Sequence, residues 1–116
     1  THSASSAASD VYKRQISWII TLQYDTTIDQ LKTIRDEIED HINKGDDYDQ
    51  SVGVAVRIDK FSDSSIDMYV RCFTKTNSWT NYLQVKENLA LEIKKIVEGK
   101  GAAFAFPSQS IYVEKK

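Results

Sequence analysis

Cysteine, proline and glycine are scarce in this chain of 116 residues, which has one Cys, one Pro and 4 Gly. The single thiol, Cys72, excludes an internal disulfide and a multi-cysteine zinc site, and fits a reducing, cytoplasmic compartment. So few glycines leave no GxGxxG or Walker-type loop to cradle a phosphate. The two histidines, His2 and His41, offer no spacing for a catalytic dyad or triad with Cys72. Net charge is only −2, so no global positive field gathers nucleic acid or anionic lipid. The longest apolar runs, residues 52–56 and 102–106, fall far short of the roughly 20 residues that a membrane-spanning helix needs.

What is present has the balance of an ordinary globular domain, 41% hydrophobic and 28% charged, and the length suits one core. Residues 1–13 have no large apolar pattern and read as a disordered or expression-derived leader. From there Ile16, Trp18, Ile20, Leu22 and Tyr24 alternate with polar neighbours, which predicts a strand with one buried face. Thr27-Ile-Asp-Gln30 is a capping box, and Ile28, Leu31, Ile34, Ile38 and Ile42 recur at helical spacing, which predicts a helix over 28–43. Gly45 is the expected left-handed terminating residue.

Val52, Val54, Val56 and Ile58 alternate in a second strand, and residues 61–65 read as a turn. Ile66, Met68, Val70 and Cys72 then alternate with Asp67, Tyr69, Arg71 and Phe73 in a third strand. Strands joined so closely pair antiparallel. Asn77 and Ser78 are cap candidates for a second helix, with Trp79, Tyr82, Leu83, Leu89, Ile93, Ile96 and Val97 on one side and an end at residues 99–101. One or two short strands follow. The order predicts an α+β, ferredoxin-like βαββαβ fold, with two helices on one face of a four-stranded antiparallel sheet. The fold is expected over 14–106, with 107–116 as an exit strand or tail.

No pattern of catalytic chemistry emerges. Cys72 shares a strand face with Ile66, Met68 and Val70, so it reads as packing. Asp46, Asp47 and Asp49 lack the EF-hand spacing, because Arg57 stands where the twelfth-position glutamate belongs. They read as a polar turn, and His41 as a solvated side chain. Charge is nevertheless uneven: residues 25–50 hold nine acids against three bases, leaving the rest net positive by four. Tyr69 and Phe73 fall on the outward sheet face, where RNA-recognition domains of this topology stack bases. The Lys/Arg-Gly start of that motif is missing from residues 65–73, so the two aromatics are expected to mark a protein contact. No metal, cofactor or nucleic acid is expected.

Four segments, taken in order, resemble one family, the C-terminal cytoplasmic domain of small-conductance (MscS-type) mechanosensitive channels. They are Leu22-Gln-Tyr-Asp-Thr-Thr-Ile-Asp-Gln-Leu31, Arg57-Ile-Asp-Lys-Phe-Ser-Asp-Ser-Ser-Ile-Asp-Met68, Val70-Arg-Cys-Phe-Thr-Lys-Thr-Asn-Ser-Trp79, and Gly101-Ala-Ala-Phe-Ala-Phe-Pro-Ser-Gln-Ser-Ile-Tyr-Val-Glu114. Ser78 stands where the family commonly has an acid before the tryptophan, and Gly101-Ala-Ala103 replaces its usual glycine-plus-aliphatic pair.

The resemblance implies a non-catalytic cage domain on the cytoplasmic side of the inner membrane. There it would serve assembly and gating of a heptameric channel that releases solutes on osmotic downshock, reaching the membrane only through transmembrane segments not in this sequence. It implies that the segment after Pro107 leaves its own domain and joins six other copies in a parallel barrel. The expected contacts between copies are then Tyr69, Phe73, Pro107, Gln109, Ile111, Tyr112 and Val113. Two other readings share the topology. A small-molecule-binding regulatory module of the ACT type predicts a rise in melting temperature with an amino acid. An acylphosphatase-like enzyme needs an arginine-bearing phosphate loop after the first strand, where this chain has Asp25-Thr-Thr27.

Overall fold

The computed structural model describes residues 14–76 and 78–105, in the order β1 (Gln15–Gln23), α1 (Ile28–Lys44), a 3-10 turn (Gln50–Val52), β2 (Ala55–Phe61), β3 (Ser65–Phe73) and α2 (Trp79–Gly99). The leader at 1–13 and the tail after Ala105 lie outside the described residues.

β3 is the central strand and pairs antiparallel with β1 on one side and β2 on the other. The alternation expected in β3 holds: Ile66, Met68, Val70 and Cys72 are buried, as are Ile16, Ile20 and Leu22 of β1 and Val56 of β2. Because successive side chains of a strand point to opposite faces, these residues form one apolar face. Leu31, Ile34, Ile38 and Ile42 of α1 join them in a single core, together with Tyr82, Val85, Leu89, Ile93, Ile96 and Val97 of α2. Both helices therefore cover the same side of the sheet.

The expected four-stranded ferredoxin-like sheet is not what forms. Among the described residues the sheet has three strands, in the order β1-β3-β2. Residues 103–105 run beside β1 and make one isolated antiparallel bridge, Leu22 with Phe104. The Gln23 N–H donates to the Ala103 carbonyl at 3.0 Å, and the Ala105 N–H donates to the Thr21 carbonyl at 2.9 Å. Two hydrogen bonds around one bridge fall short of a strand.

The capping box of α1 is present. Thr27 Oγ1 accepts from the Gln30 N–H at 3.2 Å, and Gln30 Oε1 accepts from the Thr27 N–H at 2.8 Å. Ser78 Oγ caps α2 by accepting from the Asn81 N–H. Gly45 differs from expectation. Its φ is −81°, so it is not left-handed. It is needed for a close approach instead, because a Cβ there would lie 2.8 Å from the Tyr48 ring. The left-handed glycine after an α-helix is Gly101, φ +78°, which turns the chain from α2 toward β1.

Five side chains expected in the core are elsewhere, and one of them, Val52 of the expected second strand, is exposed in the 3-10 turn because β2 begins at Ala55. Tyr24 is 59% exposed beyond the end of β1, edge-on to Phe61, and Trp79 is 58% exposed in the first turn of α2. Leu83 is 43% exposed while Val85 is buried, because Val85 lies within about 60° of the stripe through Tyr82, Leu89 and Ile93 and Leu83 about 100° from it. Ile28, at the start of α1, is also exposed.

Candidate assembly surface

With both helices on one side, the other face of the sheet is open. Cross-strand register sets its rows: Ile19, Tyr69 and Arg57 lie side by side, then Ser17, Arg71 and Ala55, then Thr21, Asp67 and Lys60. A bulge between Ile58 and Lys60 shifts β2 by one residue and brings Lys60 opposite Asp67. Tyr69 and Phe73 are half-buried on this face, as expected of its outward aromatics, and Ile19 is 51% exposed. The Arg71 guanidinium lies 5.2 Å from the Phe73 ring centroid, a cation–π contact. Asp67 is the buried carboxylate of the face, satisfied by hydroxyl donors from Ser62 at 2.9 Å and Ser65 at 3.2 Å. Arg57 donates to its neighbour's carbonyl, Val56 O, and its guanidinium lies 3.7 Å from Glu39 of α1. The other expected contact residues, Pro107, Gln109, Ile111, Tyr112 and Val113, lie outside the described residues.

The start of β1 is tied to the start of α2. The Arg14 carbonyl accepts from the Thr74 N–H at 2.9 Å, and the Tyr82 hydroxyl donates to the Gln15 carbonyl at 3.0 Å. The Arg14 guanidinium sits 5.4 Å from the Trp79 ring and 5.9 Å from the Tyr82 ring. At the other end of α2, Gln30 Nε2 donates to the Lys100 carbonyl at 2.9 Å, and Lys100 Nζ lies 2.6 Å from Glu37. Sequence periodicity did not reveal either tie. The pairing of Trp79 with Tyr82 at a helix start was its only signal.

The acidic loop holds a residue that sequence reading passed over. Tyr48 is 3% exposed and bridges Thr74, continuing the pairing of β3 past its end. His41, expected in solvent, is half-buried with its ring edge-on to Tyr48. Burial first, then the neighbouring Cys72, Asp47 and Glu92, push the Tyr48 phenol well above its ordinary range. Burial alone pushes the Cys72 thiol from 9.0 up to about 12, so at neutral pH it is a packed thiol and not a nucleophile. Asp49 Oδ1 accepts from the Ser51 N–H, which makes the run a turn as read. Among the described residues no group of three or more His, Cys, Asp or Glu is placed to hold a metal ion. Nor is any helix there long and apolar enough to cross a membrane.

One sheet face is thus open, both helices cover the other, and α2 is tied to β1 at its start and to α1 at its end. The family described as "Mechanosensitive ion channel MscS, C-terminal" matches residues 16–104, and the chain belongs to that family. It is 34% identical over 101 residues to the low conductance mechanosensitive channel YnaI of Escherichia coli, covering 87% of this chain and 29% of the relative. An MscS family protein of Aquifex aeolicus is 33% identical over 103 residues, covering 89% of this chain and 28% of the relative. The chain thus spans less than a third of the length of these relatives. The cryo-EM structure of Arabidopsis thaliana MSL1 shares the fold at TM-score 0.75 and 18% identity, over 83% of this chain and 35% of that one. The closed-state crystal structure of Helicobacter pylori MscS does so at TM-score 0.66 and 21% identity, over 82% and 36%. Family membership identifies a non-catalytic module, and it displaces the amino-acid-binding and acylphosphatase readings.

Proposed function

We propose that this chain is the cytoplasmic cage domain of a channel subunit that opens under membrane tension and releases solutes on osmotic downshock. The family match over residues 16–104 carries the reading. Seven copies form the cage on the cytoplasmic side of the inner membrane, and the rest of each subunit supplies the pore. Within the cage, Tyr69 and Phe73 of the open face contact a neighbouring copy. Residues 107–116 leave the domain, and their Pro107, Gln109, Ile111, Tyr112 and Val113 contribute to a barrel shared by the copies. The apolar and aromatic groups on the open sheet face support an assembly role, since exposed apolar patches on sheets mark contact sites.

The solution mass from light scattering, with and without residues 109–116, tests the assembly role. Copies should associate, and the truncation should weaken that association. A strictly monomeric mass for both chains removes the role. The gene sequence upstream of Arg14 tests the channel itself: a β domain preceded by an apolar, Gly/Ala-rich helix is expected, and a start codon at that point ends the reading.

A further inference from the structure

The open face and the acidic loop are opposite in charge and are held in different ways. On the face, the cationic groups are Lys60 and Arg71, both exposed, around the apolar centre of Ile19, Tyr69 and Phe73, while Arg57 turns its guanidinium to Glu39 of α1. The Asp67 carboxylate of that face is buried under two serine hydroxyls and presents little charge outward. This is a basic, aromatic surface on a chain whose net charge is −2.

The loop is the reverse. Between Lys44 and Arg57 the sequence has Asp46, Asp47 and Asp49 and no base, with Lys75 beside Asp46 and Asp47 in the fold. It is also held rigidly. The Asp49 N–H donates to the Phe73 carbonyl at 2.8 Å, and the Lys75 N–H donates to the Asp47 carbonyl at 3.1 Å. Gln50 Nε2 donates to the carbonyls of both Ile42 and Gly45 at 2.9 Å, and Tyr48 anchors the loop in the core. Asp46 and Asp47 remain exposed on this fixed knob. A charged group already ordered in the free protein loses little entropy on docking.

We infer that the Asp46–Asp47 knob of one copy docks on the basic, aromatic sheet face of the next, with Arg71 and Lys60 as its ionic partners. The inference rests on the assembly reading and names the partner of the open face. Knob and face are separate patches that adjoin at Phe73, and the knob of one copy can meet the face of the next head-to-tail. A head-to-tail contact repeats from copy to copy and closes into a ring when the rotation allows. Charge complementarity of this kind fixes register and rejects wrong pairings, because like charges brought together cost several kcal/mol.

Two charge-reversed chains test it, one carrying Lys60→Glu and Arg71→Glu, the other Asp46→Lys and Asp47→Lys. All four positions are exposed, and unchanged circular dichroism and melting temperature check that each chain folds. Sedimentation equilibrium at low salt should show the unsubstituted chain associating, and each reversed chain associating at least about tenfold more weakly. An equimolar mixture of the two should regain association, because a reversed face then meets a reversed knob and a native face meets a native knob. If the unsubstituted chain associates and the reversals leave it unchanged, or the mixture is no tighter than its components, the knob contact is wrong while the assembly reading stands. If the unsubstituted chain stays monomeric at millimolar concentration and low salt, both fall.

Discussion

The two faces of β3 come from the same nine residues and behave as two different materials. Ile66, Met68, Val70 and Cys72 point under the helices and are buried, whereas Tyr69, Arg71 and Phe73, one step out of phase, stand on the open side half-buried or exposed. The inner set is confined by close packing on all sides, so its shape matters. The outer set has room to adjust, so its chemistry matters more than its volume.

The largest effect should separate the two faces directly. Met68→Ala empties a fully buried position and should cost about 2–5 kcal/mol in urea denaturation, while Tyr69→Ala, its neighbour on the open face, should cost about 1 kcal/mol or less. Equal losses would break the comparison. A smaller effect comes from protons. The folded pKa of Cys72, about 12, lies above its ordinary 9.0, so the folded chain holds a proton that the unfolded chain releases. The stability this contributes is complete below pH 9.0 and is lost as pH rises toward the folded value. Stability should therefore fall by about 1.4 kcal/mol per pH unit in that window, and Cys72→Ala should flatten that part of the curve. Tyr48, raised in the same direction, adds to the slope above its own ordinary value of 10.0. The smallest effect belongs to the open face: Arg71→Ala should change stability by no more than about 0.5 kcal/mol. A larger loss would show that the Arg71–Phe73 stack supports the fold and would blur the division between the faces.

Most of this division was legible in the residues. The period-two pattern of β3 and the Thr27–Gln30 box with the isoleucines of α1 needed no tertiary information, since each rests on local geometry. The misses share a different origin. Tyr48 sits among acids in a run that composition reads as solvent-exposed, and only the end of β3 turns it into an anchor. Tyr24 continues the alternation of β1, but the strand stops at Gln23 and leaves the ring without a core to face. The expected fourth strand rests on the short runs at 102–106 and 109–114. Whether residues 103–105 extend into a ladder depends on hydrogen bonds between distant parts of the chain, which local pattern does not encode. Of the open face, the sequence placed Tyr69, Arg71 and Phe73 but not Lys60, which reaches that face only through strand pairing and the bulge in β2.

One side chain joins events that lie far apart along the chain. The Gln30 amide gives its oxygen to the first turn of α1 and its nitrogen to the Lys100 carbonyl past the end of α2, a contact 70 residues away in sequence. Opening of the chain exit therefore frees the amide that also closes α1, and fraying of α1 loosens the exit, so the two local unfolding steps are thermodynamically linked. Gln30→Glu separates them, since a carboxylate keeps the acceptor and loses the donor. In that variant, amide hydrogen exchange near Lys100 would quicken while the first turn of α1 kept its protection.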